Sequence, residues 1–323
     1  MKFVRTPGEL LGHPTGLFVL FFTEMWERFS FYGMKALLIL YMVNYLFWRQ
    51  NEASHIFAWY AGLVYATPIL GGILADKWLG ARWSVVIGGV IIAIGHFLLA
   101  FEPMPFFYSG LACLVVGTGF LKPNISTQVG AMYRADDQRR DSAFTLFYMG
   151  INTGAFLGPI VCGWLQTKYN YHYGFAAAGV GMVLGLIVYI AGMKAVVARE
   201  KLIAVGNAAT GRERPGSAAA FMTPEGSAAQ SKIYRDRSIA LVVICVFAIL
   251  FWVGFEQASN VMNLWADQHT NLYVLRAHSP TVQLPGETSA LGDGVSAWRM
   301  SAAITQSINP MFVITLAGVF AWL

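Results

Sequence analysis

Charged residues are scarce in this sequence of 323 residues. Asp, Glu, Lys and Arg make up only 12% of the chain, whereas soluble domains contain roughly 25%. Apolar residues make up 56%, so the composition indicates that lipid is the main solvent. The aromatic content of 15%, with 10 Trp, is typical of chains with aromatic belts at two membrane interfaces.

Cysteine is also rare. Cys113, Cys162 and Cys245 lie inside apolar runs, so we predict small buried side chains, no disulfide and no metal site. The sequence shows no nucleophile–base pair, metal cluster or phosphate loop, which argues against an enzyme and against a bound cofactor. The net charge of +5 does not indicate nucleic-acid binding, because the basic residues gather in loops on one side of the predicted spans.

Long apolar runs fill most of the chain. A bilayer span needs about 20 mostly apolar residues, and the first run is too long for a signal peptide. The sequence predicts seven spans and part of an eighth, at residues 17–46, 55–76, 83–101, 106–132, 142–166, 173–193, 238–266 and 304–323. The predicted fold class is therefore an all-α membrane protein.

The basic residues are distributed unevenly between the two sides of the predicted spans. With the N-terminus in the cytoplasm, fifteen of the 22 Lys and Arg residues lie in cytoplasmic segments and four in external ones. The remaining three, Arg28, Lys35 and Lys122, lie inside spans. We therefore expect a cytoplasmic N-terminus in a cell membrane, the inner membrane if the source is a bacterium.

A polar stretch divides the spans into two groups. Residues 1–193 are predicted to form an N-terminal six-helix bundle, and 194–237, rich in Gly, Ala, Ser and Arg, a flexible cytoplasmic linker. Residues 238–323 are predicted to form part of a second bundle, with a long external loop at 268–303. This is the layout of a two-bundle transporter.

Charges inside the first span are the most informative feature. Helical spacing places Glu24, Glu27, Arg28, Tyr32 and Lys35 along one face, over about 16 Å. A charge at the centre of a span costs roughly 2.5–3.5 kcal/mol on insertion scales. Such a face cannot meet lipid, so it lines a wet cavity or meets opposite charges on other helices.

Two later spans each carry one more charge. Lys122 precedes Pro123, which should kink the fourth span, and the carboxylates of the first span are its expected partners. Glu256 is the only acid deep in the seventh span. A carboxylate that faces a cavity can alternate between a proton and a cationic partner, and this alternation is the elementary event of proton coupling.

Two patterns concern architecture. The segment between spans two and three resembles the signature loop of the major facilitator superfamily, in which Gly72, Asp76, Lys77, Gly80 and Arg82 would form a conformational latch at the helix ends. In the fifth span, Gly150, Gly154 and Gly158 recur every four residues and predict a close helix contact.

Several motifs together resemble the proton-coupled oligopeptide transporters, a family within that superfamily. They are the first-span Glu24-x-x-Glu27-Arg28-Phe29, the fourth-span Gly119-Phe120-Leu121-Lys122-Pro123-Asn124, the fifth-span Phe147-Tyr148-Met149-Gly150-Ile151-Asn152, the seventh-span Phe251-Trp252 with Phe255-Glu256-Gln257, and the eighth-span Ser307-Ile308-Asn309-Pro310. The resemblance runs from about residue 8 to the end of the sequence.

The resemblance implies proton-driven symport of di- and tripeptides by a monomer in the lipid bilayer, with protons as the coupling ion. Proton coupling would involve Glu24, Glu27, Arg28, Lys122 and Glu256. Substrate binding would involve Lys35 and Lys122 at the peptide carboxylate, Glu256, Asn152 and Asn309 at its amino group, and Tyr32, Tyr65 and Trp252 at its side chains. Lys35 and Glu256 would also pair near the outer gate.

The sequence departs from the family pattern in several places. Phe31 stands where many members have Tyr, and Lys35 where many have Arg, which would grip a carboxylate in a planar fork. His55 is a weak candidate for a proton relay, and His96 is predicted to be a core residue. The family fold has two six-helix bundles, so we expect this chain to be a portion that does not transport alone, in which Asp76 and Glu256 lack partners from further helices.

Alternatives within and beyond the family remain at this point. Gly154-x-x-x-Gly158-Pro159 partly resembles a motif of proton-driven drug exporters. A nitrate or other small-anion carrier is a second possibility, although the intact Glu24-x-x-Glu27-Arg28 motif and Glu256 argue against it. A third is a membrane protein that senses peptides or binds a partner without transport.

Overall fold

The computed structural model describes residues 9–134, 136–209, 228–270, 272–275 and 297–322. The helices are α1 Thr15–Asn44, α2 Gln50–Leu74, α3 Gly80–Leu99, α4 Met104–Ala131, α5 Arg139–Lys168, α6 Tyr171–Ala209, α7 Ala228–Glu256, α8 Val261–His269 and α9 Ile308–Trp322. Four short strands are β1 Glu9–Leu10, β2 His13–Pro14, β3 Tyr273–Leu275 and β4 Ala297–Arg299. The predicted all-α class is confirmed, because the strands form only two small ribbons.

Most of the long helices are apolar enough to cross a membrane. By length and composition, five described stretches qualify: Gln50–Leu99, Met104–Ala131, Arg139–Lys168, Tyr171–Ile203 and Arg235–His269. The first of these contains both α2 and α3, joined through a π-helical segment, Ala75–Leu79. Helix α1 is 30 residues long but carries four charged side chains, and it is not among the five.

Helix α1 lies at the centre of the first bundle and packs mainly on α5 and α6. The predicted glycine row on α5 makes the first of these contacts. A Cβ atom on Gly154 would lie 2.8 Å from Phe29 N and 2.9 Å from Arg28 Cβ, and one on Gly158 would lie 2.9 Å from Gly33 N. The close helix contact predicted from these glycines is confirmed, and it brings the α5 backbone against the charged part of α1.

A short hairpin precedes α1. Its turn places Leu11 and Gly12 at positive φ, 51° and 79°, and Arg139 at the start of α5 donates from Nη1 to the Gly12 carbonyl oxygen (3.0 Å). Burial, followed by the charge of Arg139, lowers the pKa of His13. Because the hairpin is bonded to α5, it fixes the start of α1 relative to the start of α5.

The predicted linker is wrong at both ends. Helix α6 continues to Ala209 and α7 begins at Ala228, so only 210–227 of the predicted stretch 194–237 lies outside the described residues. The extensions contain Ala, Leu, Lys, Arg and Glu, which favour helix. The composition of this stretch indicated a polar segment but did not show where α6 ends and α7 begins.

The predicted seventh span is also interrupted. It ends as a helix at Glu256, passes through a 3₁₀ turn at Gln257–Ser259, and restarts as α8 after Asn260. The Ser259 side chain binds Gln306, and the Asn260 side chain binds Ser54. Short polar side chains such as these often form hydrogen bonds that compete with the backbone hydrogen bonds of a helix. In the predicted external loop, β3 pairs with β4, while 276–296 lie outside the described residues.

The cysteines differ in burial. Cys162 is buried and Cys113 half-buried, whereas Cys245 on α7 is exposed, contrary to the expectation for that residue. Residues 235–255 of α7 are exposed along their whole length in this chain. Helix α9, by contrast, packs on α5.

Substitution of Gly154 by alanine tests the contact between α1 and α5. We expect Gly154→Ala to lower the free energy of unfolding in mixed micelles by about 1–3 kcal/mol, because the added methyl group has no space against α1. Gly62→Ala on α2 is the control, since nothing lies within 4 Å of its Cβ position. The control should leave stability unchanged or raise it, and an equal loss in both variants would contradict the contact.

Candidate functional site

The charged face of α1 is buried. Glu24, Glu27, Arg28 and Lys35 are 1–4% exposed, and Tyr32 is half-buried. Their shared direction follows from helical spacing, as predicted. Because the surrounding core is apolar, each of these charges depends on a partner inside the protein.

Arg28 is the partner of both glutamates. Its Nε lies 3.0 Å from Glu24 Oε1, one helical turn earlier, and it also forms an ion pair with Glu27. The guanidinium lies over the Phe31 ring, 5.2 Å from the centroid. Glu24 Oε2 and Arg28 Nη2 have no hydrogen-bond partner among the described residues. The triad therefore keeps one acceptor and one donor that a proton, water or ligand could engage.

Lys35 and Glu256 join the two parts of the protein. Lys35 Nζ lies 2.5 Å from Glu256 Oε2, and the two side chains are 5% and 21% exposed. Tyr65 Oη on α2 donates to the other carboxylate oxygen, Oε1, at 3.1 Å. The expected pairing of Lys35 with Glu256 is confirmed, and the partners of Glu256 lie on α1 and α2.

Lys122 occupies a different position from the one predicted. Its Nζ lies over the ring of Tyr65, 4.6 Å from the centroid, a cation–π geometry. Among the described residues it has no ion pair within 4.0 Å. The expected direct pairing with α1 is therefore absent in this conformation, and the aromatic face of Tyr65 takes its place.

Tyr65 thus connects two charged groups. Its ring contacts Lys122 on α4 and its hydroxyl binds Glu256 on α7. Counted together, α1, α4 and α7 contribute three acids and three bases to one region. The region has no formal net charge, so a zwitterion can exchange partners with these groups without leaving a lone buried charge, whereas a bound proton leaves one cation less compensated.

Besides the Lys35–Glu256 pair, further polar contacts that sequence reasoning missed join the two parts of the protein. They are Asn263 Nδ2 to the Ala36 carbonyl oxygen (2.8 Å), Ser54 Oγ to Asn260 Oδ1 (3.1 Å) and Asn44 Nδ2 to Asp267 Oδ2 (2.8 Å). All three join α1 or α2 to the α7–α8 break or to α8. The sequence signal for the break between α7 and α8 was the run Gln257-Ala258-Ser259-Asn260, because polar side chains inside a predicted span indicate an interrupted helix.

The other predicted substrate residues are not drawn into this network. Asn152 is buried and donates from Nδ2 to the Tyr148 carbonyl oxygen of its own helix (2.9 Å). Trp252 is half-exposed and stacks edge-on with Phe255, and Asn309 is exposed at the start of α9. Their roles in binding stay predictions.

The two histidines singled out in the sequence differ in burial. His55 is exposed, while His96 is 1% exposed, as expected of a core residue.

The predicted latch is partly formed. Gly80 has φ +72°, in the left-handed region that favours glycine, and Arg82 donates to Glu200 Oε2 on α6 from Nη2 (2.8 Å) and Nε (3.2 Å). Gly72 packs on Pro123 of α4, with its Cβ position 3.9 Å from Pro123 Cβ. Asp76 and Lys77 are exposed, and neither has a recorded ion pair with a described residue, so only Arg82 joins helix ends here.

A bundle of long apolar helices that buries balanced charges on three of them defines a polytopic membrane transporter. Residues 82–204 match the sequence profile of the POT family. The chain is 35% identical over 354 residues to the uncharacterized transporter YclF of Bacillus subtilis, a match that covers 97% of this chain and 68% of YclF. It is 34% identical to the peptide transporter YePEPT of Yersinia enterocolitica, covering 98% and 69%.

Solved structures agree with these relatives. The chain matches a crystal structure of a mutant peptide transporter POT in complex with alafosfalin at 35% identity and a TM-score of 0.75, covering 98% of this chain and 69% of that one. The chain therefore belongs to the POT family and has the major facilitator superfamily fold. It spans about two thirds of the length of these relatives.

Removal of the central cation tests how the charges are held. We expect Arg28→Leu to lower the free energy of unfolding in mixed micelles by roughly 3–5 kcal/mol, because two buried carboxylates lose their partner. Arg82→Leu is the control, since the Arg82 side chain in its pair with Glu200 is 38% exposed. That variant should cost about 1 kcal/mol or less. Equal losses of unfolding free energy in the two variants would show that burial does not make the Arg28 ion pairs more important for stability than an exposed ion pair.

Proposed function

We propose that the protein is a proton-coupled symporter of di- and tripeptides, which works as a monomer in the cell membrane with its N-terminus in the cytoplasm. The observation that carries the proposal is the balanced set of three acids and three bases on α1, α4 and α7, joined through Tyr65. The POT relatives, one of which is the di-/tripeptide transporter of Lactococcus lactis at 41% identity over 196 residues, support the substrate class.

A zwitterionic peptide matches this charge distribution. Its carboxylate would bind Lys35 and Lys122, and its amino group would bind Glu256, with Asn152 and Asn309 nearby. In the present conformation Glu256 is bound by Lys35 and Tyr65. The peptide amino group would therefore replace Lys35 at Glu256 and release Lys35 for the peptide carboxylate, so that one exchange of partners loads the substrate and opens the Lys35–Glu256 contact.

Protons would bind to a glutamate of the α1 triad, which is formed by Glu24, Glu27 and Arg28, and so take part in the same exchange of partners. Glu24 and Glu27 are each paired with Arg28. Protonation of one glutamate would neutralise it and leave the Arg28 charge less compensated. The change would alter the electrostatic field at Lys122 and at the substrate, which is how proton and peptide movement become coupled.

Side chains of the peptide would lie against Tyr32, Tyr65 and Trp252.

Uptake of labelled dialanine tests the substrate and the coupling together. The gene product that contains this chain would be reconstituted in liposomes, with and without an inward proton gradient. We expect gradient-driven uptake by the wild type. Glu27→Gln should lose gradient-driven uptake and retain counterflow exchange, because the amide keeps the shape of the site without the titratable group.

Glu102→Gln is the matched control. Glu102 lies outside the cluster, near the end of α3, where it accepts a hydrogen bond from Tyr45, so this variant should behave as the wild type. Gradient-driven uptake that persists at the wild-type rate in Glu27→Gln would overturn the coupling role. Absence of both uptake and counterflow in the wild type would overturn the peptide substrate.

A further inference from the structure

A cavity with charged residues in its lining lies at the linker end of the first bundle, away from the Lys35–Glu256 pair. It has a volume of about 690 Å³ and lies between the loop that joins α2 to α3, the end of α4, the start of α5 and the end of α6. Among its lining residues are Arg82, Gln128, Arg140, Glu200 and Lys201. None of these belongs to the proposed transport site.

The charges of the cavity are not balanced internally. Arg82 is bound to Glu200 at 2.8 Å. Arg140 and Lys201, in contrast, have no recorded ion pair with a described residue, and Arg140 Nε is buried without a hydrogen-bond partner in the described chain. Asp76 also lines the cavity, but its side chain is exposed to solvent. Lys201 is exposed as well, so the lining holds three cations against two acids, and an anion from outside the chain would neutralise the one excess positive charge.

Gln128 adds a buried donor. It is 1% exposed, and its Oε1 accepts a hydrogen bond from Tyr189 Oη at 2.9 Å. Its Nε2 has no partner among the described residues. A buried amide donor without an acceptor is costly, and the neighbouring Arg140 and Lys201 cannot accept from it. An anion with several oxygen atoms would satisfy Gln128, Arg140 and Lys201 together, which is the chemistry of a phosphate group.

The surroundings indicate where that phosphate comes from. Trp83 lines the cavity and Trp78 lies in the adjoining π-helical segment, and they are 62% and 78% exposed. Exposed Trp side chains are typical of the headgroup level of a membrane. This end is the one that the distribution of Lys and Arg predicts to be cytoplasmic, where basic pockets between spans bind anionic lipid headgroups.

We propose that the cavity between α3, α4, α5 and α6 at the linker end binds the phosphate of an anionic phospholipid headgroup through Gln128, Arg140 and Lys201. The bound lipid would join the ends of α4, α5 and α6, beside the Arg82–Glu200 pair that joins α3 to α6. Its expected effect is stabilisation of the folded bundle, whether or not a peptide is present.

Thermal unfolding in detergent tests the proposal. The chain would be titrated with dihexanoyl phosphatidylglycerol, with dihexanoyl phosphatidylcholine and with inorganic phosphate, and Tm would be followed by tryptophan fluorescence. We expect phosphatidylglycerol to raise Tm in a saturable way, and phosphatidylcholine to act much more weakly. In the variant Arg140→Gln/Lys201→Gln, half-saturation should need at least about tenfold more phosphatidylglycerol, because two charged hydrogen bonds are lost.

Lys194→Gln is the control variant. Lys194 is exposed, lies two turns before Lys201 on α6, and does not line the cavity, so its titration should match the wild type. Inorganic phosphate that saturates at the same concentration as the lipid would support the phosphate site and overturn its lipid source. A phosphatidylglycerol titration that is the same in the wild type and the double variant would overturn the site.

Discussion

A charge inside a membrane protein is costly unless a partner within the protein compensates it, and this constraint organises the present fold. Helix α1 carries four charged side chains where most spans carry none or one. Arg28 compensates Glu24 and Glu27 locally. Lys35 has no such local acid and is paired with Glu256, which is 221 residues away in sequence. The contact between the first bundle and α7 is therefore a consequence of charge pairing as well as of apolar packing.

The requirement for pairing also accounts for irregular backbone. Helix α7 ends at Glu256, and the following break directs Asn260 and Ser259 to partners on other helices. Because Asn263 then donates to the carbonyl oxygen of Ala36, the break lies against α1. The two parts of the chain are thus held at one end, while residues 235–255 of α7 are exposed.

The sequence predicted the features that depend on local spacing. The α1 stripe follows from offsets of three and four residues, and the α5 glycines follow from their four-residue repeat. The first six helices were recognisable because apolar runs of that length have few other interpretations. Glu256 was recognisable as a lone acid in an apolar run. These predictions needed no knowledge of which helices are neighbours.

Features that depend on distant partners were not predictable in the same way. Lys122 was expected to pair with α1, but its Nζ lies over the ring of Tyr65, because the position of α2 relative to α4 decides the contact. The ends of the linker were missed because polar helix formers suit both a loop and a solvated helix. The amide nitrogen of Gln128, which has no partner among the described residues, carries no sequence signal, since its state depends on Tyr189 binding only the other end of the side chain.

A double-mutant cycle between Lys35 and Glu256 tests most directly whether charge pairing across the two parts holds the structure. The free energy of unfolding would be measured for the wild type, Lys35→Met, Glu256→Gln and the double variant. Pairing predicts a coupling energy of about 1–3 kcal/mol, with the double variant less destabilised than the sum of the single ones. Additive losses, with a coupling energy near zero, would contradict the account.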